Sequence, residues 1–133
     1  RVFAVGTTSV RTLESLYHIG CLIAQNEWNG ELPQWYPYSE THPHLSVVDS
    51  LNAIVEYLNA SGSDTLIAST RVIIAPGYKY MIVKGIITNF HQPQSTLLLL
   101  VSAFVGGDWR AMYDFALTHN FRFLSYGDAS LLM

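Results

Sequence analysis

Hydrophobic positions along the chain fall into short runs with two spacings, and glycine, proline or asparagine marks most of the breaks between them. Residues 2–5 read as a short buried strand. It breaks at Gly6 into Thr7, Thr8 and Ser9, three N-cap candidates. Val10, Leu13, Leu16, Tyr17, Cys21 and Ala24 then keep helical spacing. Residues 26–44 carry Pro33, Pro37 and Pro43 beside Trp28, Trp35, Tyr36 and Tyr38, which predicts a loop that packs. Ser46 with Asp49 three residues on resembles a capping box. The helix it opens has the stripe Val47, Val48, Leu51, Ile54, Val55 and Leu58, and Gly62 stops it.

The second half begins with β-branched runs. Residues 66–75, 78–83 and 86–90 read as three strands of a meander, turning at Pro76-Gly77 and Lys84-Gly85. Ser95 or Thr96 caps a helix over 97–105 that is apolar all round, so burial on all sides is expected. Gly106-Gly107 ends it. Asp108 caps a further helix with Trp109, Met112, Tyr113 and Ala116 facing inward. Asn120 closes that helix, and residues 121–124 form a final strand. The predicted class is α/β: one domain over residues 1–133, a mixed sheet packed by helices, with the 97–105 helix at its centre.

Composition sharpens this picture. Half of the 133 residues are hydrophobic and only 13% are charged, which excludes disorder and implies much buried surface. A net charge of −3 with scattered basic residues argues against a stand-alone nucleic-acid binder. One cysteine, Cys21, excludes an internal disulfide and a Cys-based zinc site. His42-Pro43-His44 lacks a carboxylate partner and makes a poor metal site, so no metal is expected. The longest apolar run is about half of the ~20 residues a membrane helix needs. The chain opens on Arg1 directly before a strand-like run, which suggests a fragment of something longer.

Three stretches could carry chemistry. Residues 6–9 join a strand to a helix, where amides at a helix start and three hydroxyls can hold a carboxylate or phosphate. The stretch lacks the lysine and spacing of a P-loop, and an ordinary N-cap also accounts for it. In "IITNFHQPQSTLLLL", Asn89 and His91 are expected on one strand face with Phe90 opposite. His91, with an ordinary pKa of ~6.5, can accept or donate a proton near neutrality, although a lone histidine often only satisfies a backbone group. Ser125, Tyr126, Gly127 and Asp128 follow a predicted strand, where polar residues can face a ligand or simply make a turn. Ser95, His91 and Asp128 contain the atoms of a hydrolytic triad, but no nucleophile elbow surrounds Ser95.

Four stretches together resemble one family, the S-adenosylmethionine:tRNA ribosyltransferase-isomerases of queuosine biosynthesis. They are "AVGTTSVRTLE" (4–14), "PGYKY" (76–80), "ITNFHQPQSTLLLLVSAFVG" (87–106) and "FRFLSYGDA" (121–129), in the family's order. The resemblance covers about residues 1–24 and 66–133 and corresponds to the C-terminal part of a larger two-domain enzyme. Residues 25–65 look like an insertion relative to the family pattern. Gln92, Gln94, Leu124 and Ser130 also depart from it.

The resemblance implies an unusual reaction. S-adenosylmethionine, a co-substrate and not a tightly bound cofactor, gives its ribosyl unit to the aminomethyl group of a 7-deazaguanine in tRNA. Isomerisation then yields epoxyqueuosine-tRNA, adenine and methionine. Such chemistry needs a base for an acidic C5′ hydrogen, protonation of departing adenine, an anion site for the methionine carboxylate and acceptors for ribose hydroxyls. By residue type and motif position, Gly6, Thr7, Thr8 and Ser9, with Arg11 nearby, are expected to hold a carboxylate or tRNA phosphate. His91 is the proton-transfer candidate, oriented by Asn89, which can equally contact substrate. Tyr126 and Asp128 are expected at adenine, ribose or the substrate amine, and Ser95 belongs to the substrate-binding set. The implied partners are tRNA, S-adenosylmethionine and the N-terminal part of the same protein, in the cytoplasm and away from any membrane. A different reading is a binding module that keeps the fold without the activity.

Overall fold

The computed structural model describes residues 1–91, 95–106, 108–124 and 127–133. In chain order the elements are β1 (Val2–Val5), α1 (Thr7–Ala24), β2 (Glu31–Leu32), a 3-10 turn at Tyr36–Tyr38, α2 (Val47–Ser61), β3 (Ser69–Thr70), β4 (Val83–Asn89), α3 (Thr96–Val105), α4 (Trp109–Thr118) and β5 (Ala129–Leu132). They form two compact units, Arg1–Val10 with Ile73–Met133, and Arg11–Val72. The expected mixed α/β class is what the chain adopts.

The first unit holds a three-stranded sheet in the order β1-β4-β5. β1 runs parallel to β4, with Val5 opposite Ile87, and β5 runs antiparallel to β4, with Leu131 also opposite Ile87. This differs from the expected meander for a simple reason. β1 and β5 occupy the two edges of β4, so residues 78–82 have no edge of it left to pair with. Lys84 and Gly85 do not turn; they lie inside β4, where Gly85 leaves room for the Phe3 ring on the facing strand. Residues 121–123 are not a strand either. Phe121 and Phe123 pack their rings on Phe90, while the third strand of the sheet is β5, further along.

Ser95 caps α3, its hydroxyl accepting from the Leu97 N–H, and Gly106 ends the helix in the left-handed region at φ 68°. The helix is not buried on all sides. Leu98, Leu100, Val101 and Ser102 are buried, whereas Leu99 is 40% exposed. Asp108 precedes α4 without a side-chain capping bond, Tyr113 and Ala116 face inward, and Asn120 follows at φ 59°.

The second unit is built on the remainder of α1 and on α2. Ile19, Leu22, Leu32, Ile54 and Val72 form its core, with Leu16, Leu51 and Leu58 packed at the margin. At the start of α2 the Ser46 half of the expected box is present, with Ser46 Oγ accepting from the Asp49 N–H, and Gly62 closes the helix at φ 68°. Val48 and Val55, placed on the buried stripe by their spacing, are exposed. The strand expected over 66–75 is reduced to Ser69–Thr70, because its partner β2 is only two residues long and Pro33 follows it. Among the described residues no helix is long and apolar enough to cross a membrane.

Candidate functional site

The site follows from one local event at the end of β1. The Gly6 N–H donates to the Ile87 carbonyl at 2.8 Å, completing the pairing with β4. Its φ of +87° then turns the chain into α1, a conformation that favours glycine although a Cβ would meet nothing within 4 Å. The helix begins at Thr7, so Thr7, Thr8 and Ser9 are first-turn residues and not caps. Because β1 and β4 are parallel, the start of α1 and the end of β4 emerge at the same edge of the sheet.

Between them lies a cavity of about 300 Å³ lined by Val5, Gly6, Thr7, Thr8, Ile87, Thr88, Asn89, His91 and Ala129. The positive end of the α1 dipole therefore borders a space that also contains an amide and an imidazole. Asn89 is exposed, while His91 is buried. They share the cavity but not the expected strand face, since β4 ends at Asn89 and His91 lies past it. The His91 ring meets Thr88 through Nε2 and Oγ1 at 3.0 Å, so its hydrogen-bond partner is Thr88 and not Asn89. Its backbone N–H donates to the Tyr113 hydroxyl at 2.7 Å. Burial pushes the His91 pKa below the ordinary 6.5, which keeps the imidazole neutral around pH 7.

The other expected site residues are placed elsewhere or lie outside the described residues. Ser9 is exposed and does not line the cavity. The Arg11 guanidinium, in the second unit, donates to the Val72 carbonyl at 3.1 Å. Ser95 lines a different cavity with Pro76, Leu98, Trp109 and Arg110. Asp128 accepts from the Arg122 backbone N–H and from its Nε, and these bonds hold its carboxyl below the usual carboxylate range. Tyr126 lies outside the described residues, as do Gln92 and Gln94. Ser95, His91 and Asp128 thus have separate surroundings and do not form a triad. Thr88 and Tyr113, the two residues that hold His91, were not anticipated. Thr88 shows in the sequence as a hydroxyl three residues before the histidine, across a strand end. Tyr113 is 22 positions away and carries no sequence signal of the contact.

Among the described residues no three His, Cys, Asp or Glu side chains gather into a group that could hold a metal ion. The cavity instead offers amides, hydroxyls and a neutral imidazole beside apolar Val5 and Ile87. That set suits an uncharged ring or sugar carrying an anionic group.

Known proteins match this chain over nearly its whole length. Residues 1–132 match the family described as "Queuosine biosynthesis protein". The S-adenosylmethionine:tRNA ribosyltransferase-isomerase of Cereibacter sphaeroides is 36% identical over 134 residues, covering 100% of this chain and 27% of the relative. The one from Vesicomyosocius okutanii is 38% identical over 133 residues, covering 99% and 27%. The crystal structure of S-adenosylmethionine tRNA ribosyltransferase from Thermotoga maritima superposes with a TM-score of 0.62 at 32% identity, over 100% of this chain and 33% of that one. The chain thus spans about a quarter of the length of the curated relatives it matches. It belongs to the queuosine biosynthesis protein family.

Proposed function

We propose that this chain forms part of the active site of an S-adenosylmethionine:tRNA ribosyltransferase-isomerase. In that reading the complete protein transfers the ribosyl moiety of S-adenosylmethionine to 7-aminomethyl-7-deazaguanine in tRNA. Isomerisation gives epoxyqueuosine-tRNA, with adenine and methionine released, in the cytoplasm. The observation that carries the reading is the cavity where the turn at Gly6, Thr7 and Thr8 meets Asn89 and His91. The helix start is suited to the methionine carboxylate or a phosphate. Asn89, being exposed at the rim, contacts substrate. His91 exchanges a hydrogen bond or a proton with the reacting centre. Tyr126 and Asp128 remain candidates for contacts to adenine, ribose or the substrate amine, and Ser9, Arg11 and Ser95 for substrate binding. S-adenosylmethionine acts as a co-substrate, with no tightly held cofactor.

The test uses the full-length protein. His91→Ala is expected to lower adenine release in the presence of S-adenosylmethionine and substrate tRNA by ~100-fold. Binding of S-adenosylmethionine, followed by calorimetry, is expected to persist. Unchanged turnover removes His91 from the reaction. Binding without adenine release in the wild type points instead to a module that keeps the fold alone.

A further inference from the structure

Thr88 and His91 lie three residues apart across the end of β4, and both are buried, at 5% and 8% exposure. Their side chains meet at 3.0 Å between Thr88 Oγ1 and His91 Nε2. The His91 main chain is fixed separately by the Tyr113 hydroxyl, and the Thr88 main chain by the Ser130 hydroxyl, which donates to its carbonyl at 3.2 Å. The pair is therefore held at both ends before any ligand arrives.

A threonine hydroxyl has one hydrogen to place, and a neutral imidazole has one. Were the imidazole hydrogen on Nε2, it would point at Thr88, and the Thr88 O–H would need another acceptor in a buried position. Among the described residues its side chain has no such second partner. A buried donor left unmade costs about 1–3 kcal/mol. Were Thr88 to donate to Nε2, its hydrogen is satisfied and the imidazole hydrogen sits on Nδ1. Nδ1 has no hydrogen bond among the described residues. The ring belongs to the lining of the cavity.

We propose that Thr88 is a positioning residue that fixes His91 as the neutral tautomer with its hydrogen on Nδ1, so that the cavity receives a hydrogen-bond donor and not the lone pair of a base. Which ring nitrogen carries the proton is set by the bond the other one makes. A neutral imidazole used this way polarises an acceptor on the substrate. The group it selects is an oxygen or a ring nitrogen that gains negative charge as a bond breaks. This rests on the cavity being the substrate site, and it narrows the part of His91 there to donation. Removal of a C5′ hydrogen then falls to another group.

The decisive measurement is long-range proton–nitrogen correlation on the full-length protein labelled with ¹⁵N-histidine. His91 is assigned by the signal missing in His91→Gln. The expected pattern is a pyridine-type Nε2 and a pyrrole-type Nδ1; the reverse pattern overturns the proposal. Thr88→Val keeps the shape and removes the hydroxyl. It is expected to move His91 toward the Nε2–H tautomer and to lower turnover about tenfold with little change in KM. Thr88→Ser, which keeps the hydroxyl, is expected to restore both. A Thr88→Val spectrum identical to the wild type also overturns it. The tautomer is read without turnover, so a failure of the ribosyltransferase reading leaves this result distinguishable.

Discussion

Gly20 of α1 lies directly against Ser50 of α2: a Cβ on Gly20 would fall 2.2 Å from both the Ser50 carbonyl oxygen and its hydroxyl. The same Ser50 hydroxyl donates to the Tyr17 carbonyl, one turn before Gly20. Alanine is favoured over glycine in a helix interior by ~1 kcal/mol. Here that gain is outweighed, because one of the atoms met is backbone and can yield only if the helices separate. Gly20→Ala is expected to destabilise the second unit by about 1–3 kcal/mol net, read as a lowered urea midpoint. A stabilised variant would mean that the two helices are less closely packed than this.

Gly85 gives the contrasting case. A Cβ there would lie 2.2 Å from a ring carbon of Phe3, but Phe3 is 42% exposed and its ring can swing aside. Gly85→Ala is therefore expected to cost less than Gly20→Ala, about 1 kcal/mol or below. The cost should vanish in a Phe3→Ala background. A double-mutant cycle by urea unfolding measures this directly, and additive losses would rule out the ring as the cause.

These two glycines mark what the sequence can and cannot reveal. Helix limits are local, so Ser46 with Asp49, Gly62, Ser95, Gly106 and Asn120 are readable from neighbouring residues alone. Strand pairing is not local. The Phe121 and Phe123 alternation has the period of a strand, yet those rings serve a cluster with Phe90 and Tyr113, and β5 takes the pairing edge. The same limit applies to the site. Gly6, Thr7 and Thr8 are visible as a strand-to-helix turn, and His91 as a polar residue at a strand end. What fixes the His91 main chain is Tyr113, which only the fold brings near.

A pair of histidines should make the second unit sensitive to acid. His42 Nδ1 donates to the Pro43 carbonyl at 2.7 Å, which leaves its Nε2 to accept from His18 Nδ1 at 2.8 Å. Burial lowers the pKa of both rings and so favours their neutral forms, packed against Tyr17 and Tyr36. Burial first, and the nearby His42 second, lower the His18 pKa to about 3. Above pH 6.5 His18 is neutral in the folded and unfolded states alike. Between 6.5 and about 3 the unfolded chain takes up a proton that the folded chain refuses, so stability falls by on the order of 1 kcal/mol per pH unit. Urea midpoints measured from pH 7 to pH 4 should decline over that window. A flat response would show that the imidazoles are charged in the fold.

Asp128 loses stability on acidification in the same sense, but through hydrogen bonds to its charged form and not through burial. Its carboxylate accepts from the Arg122 backbone N–H and from Arg122 Nε, and these bonds hold its pKa below the ordinary 3.8. Its contribution is present above the unfolded pKa and is lost as pH falls through the lower folded value. Carbon-detected titration should find Asp128 ionised at pH 3.8, and Arg122→Ala should return it toward normal only in part, since the backbone bond remains. Asp128→Ala should speed amide exchange at Arg122. Unchanged exchange would mean that the short loop holds itself without the carboxylate.

His91 offers a prediction in which stability and activity point the same way. Burial lowers its pKa from 6.5, so the folded imidazole stays neutral at a pH where the unfolded one is half charged. Stability linked to it is full above pH 6.5 and declines as pH falls below that value, because the unfolded state binds the proton first. The same neutrality keeps its Thr88 bond intact, since a proton on Nε2 would compete with the hydroxyl for the one lone pair there. In the full-length protein, any acidic limb of the pH–rate profile that belongs to His91 should therefore lie below pH 6.5. It should be missing in His91→Gln. A limb at or above pH 6.5 that disappears in His91→Gln would mean that substrate or a neighbouring anion raises the imidazole pKa, and that His91 works in its charged form.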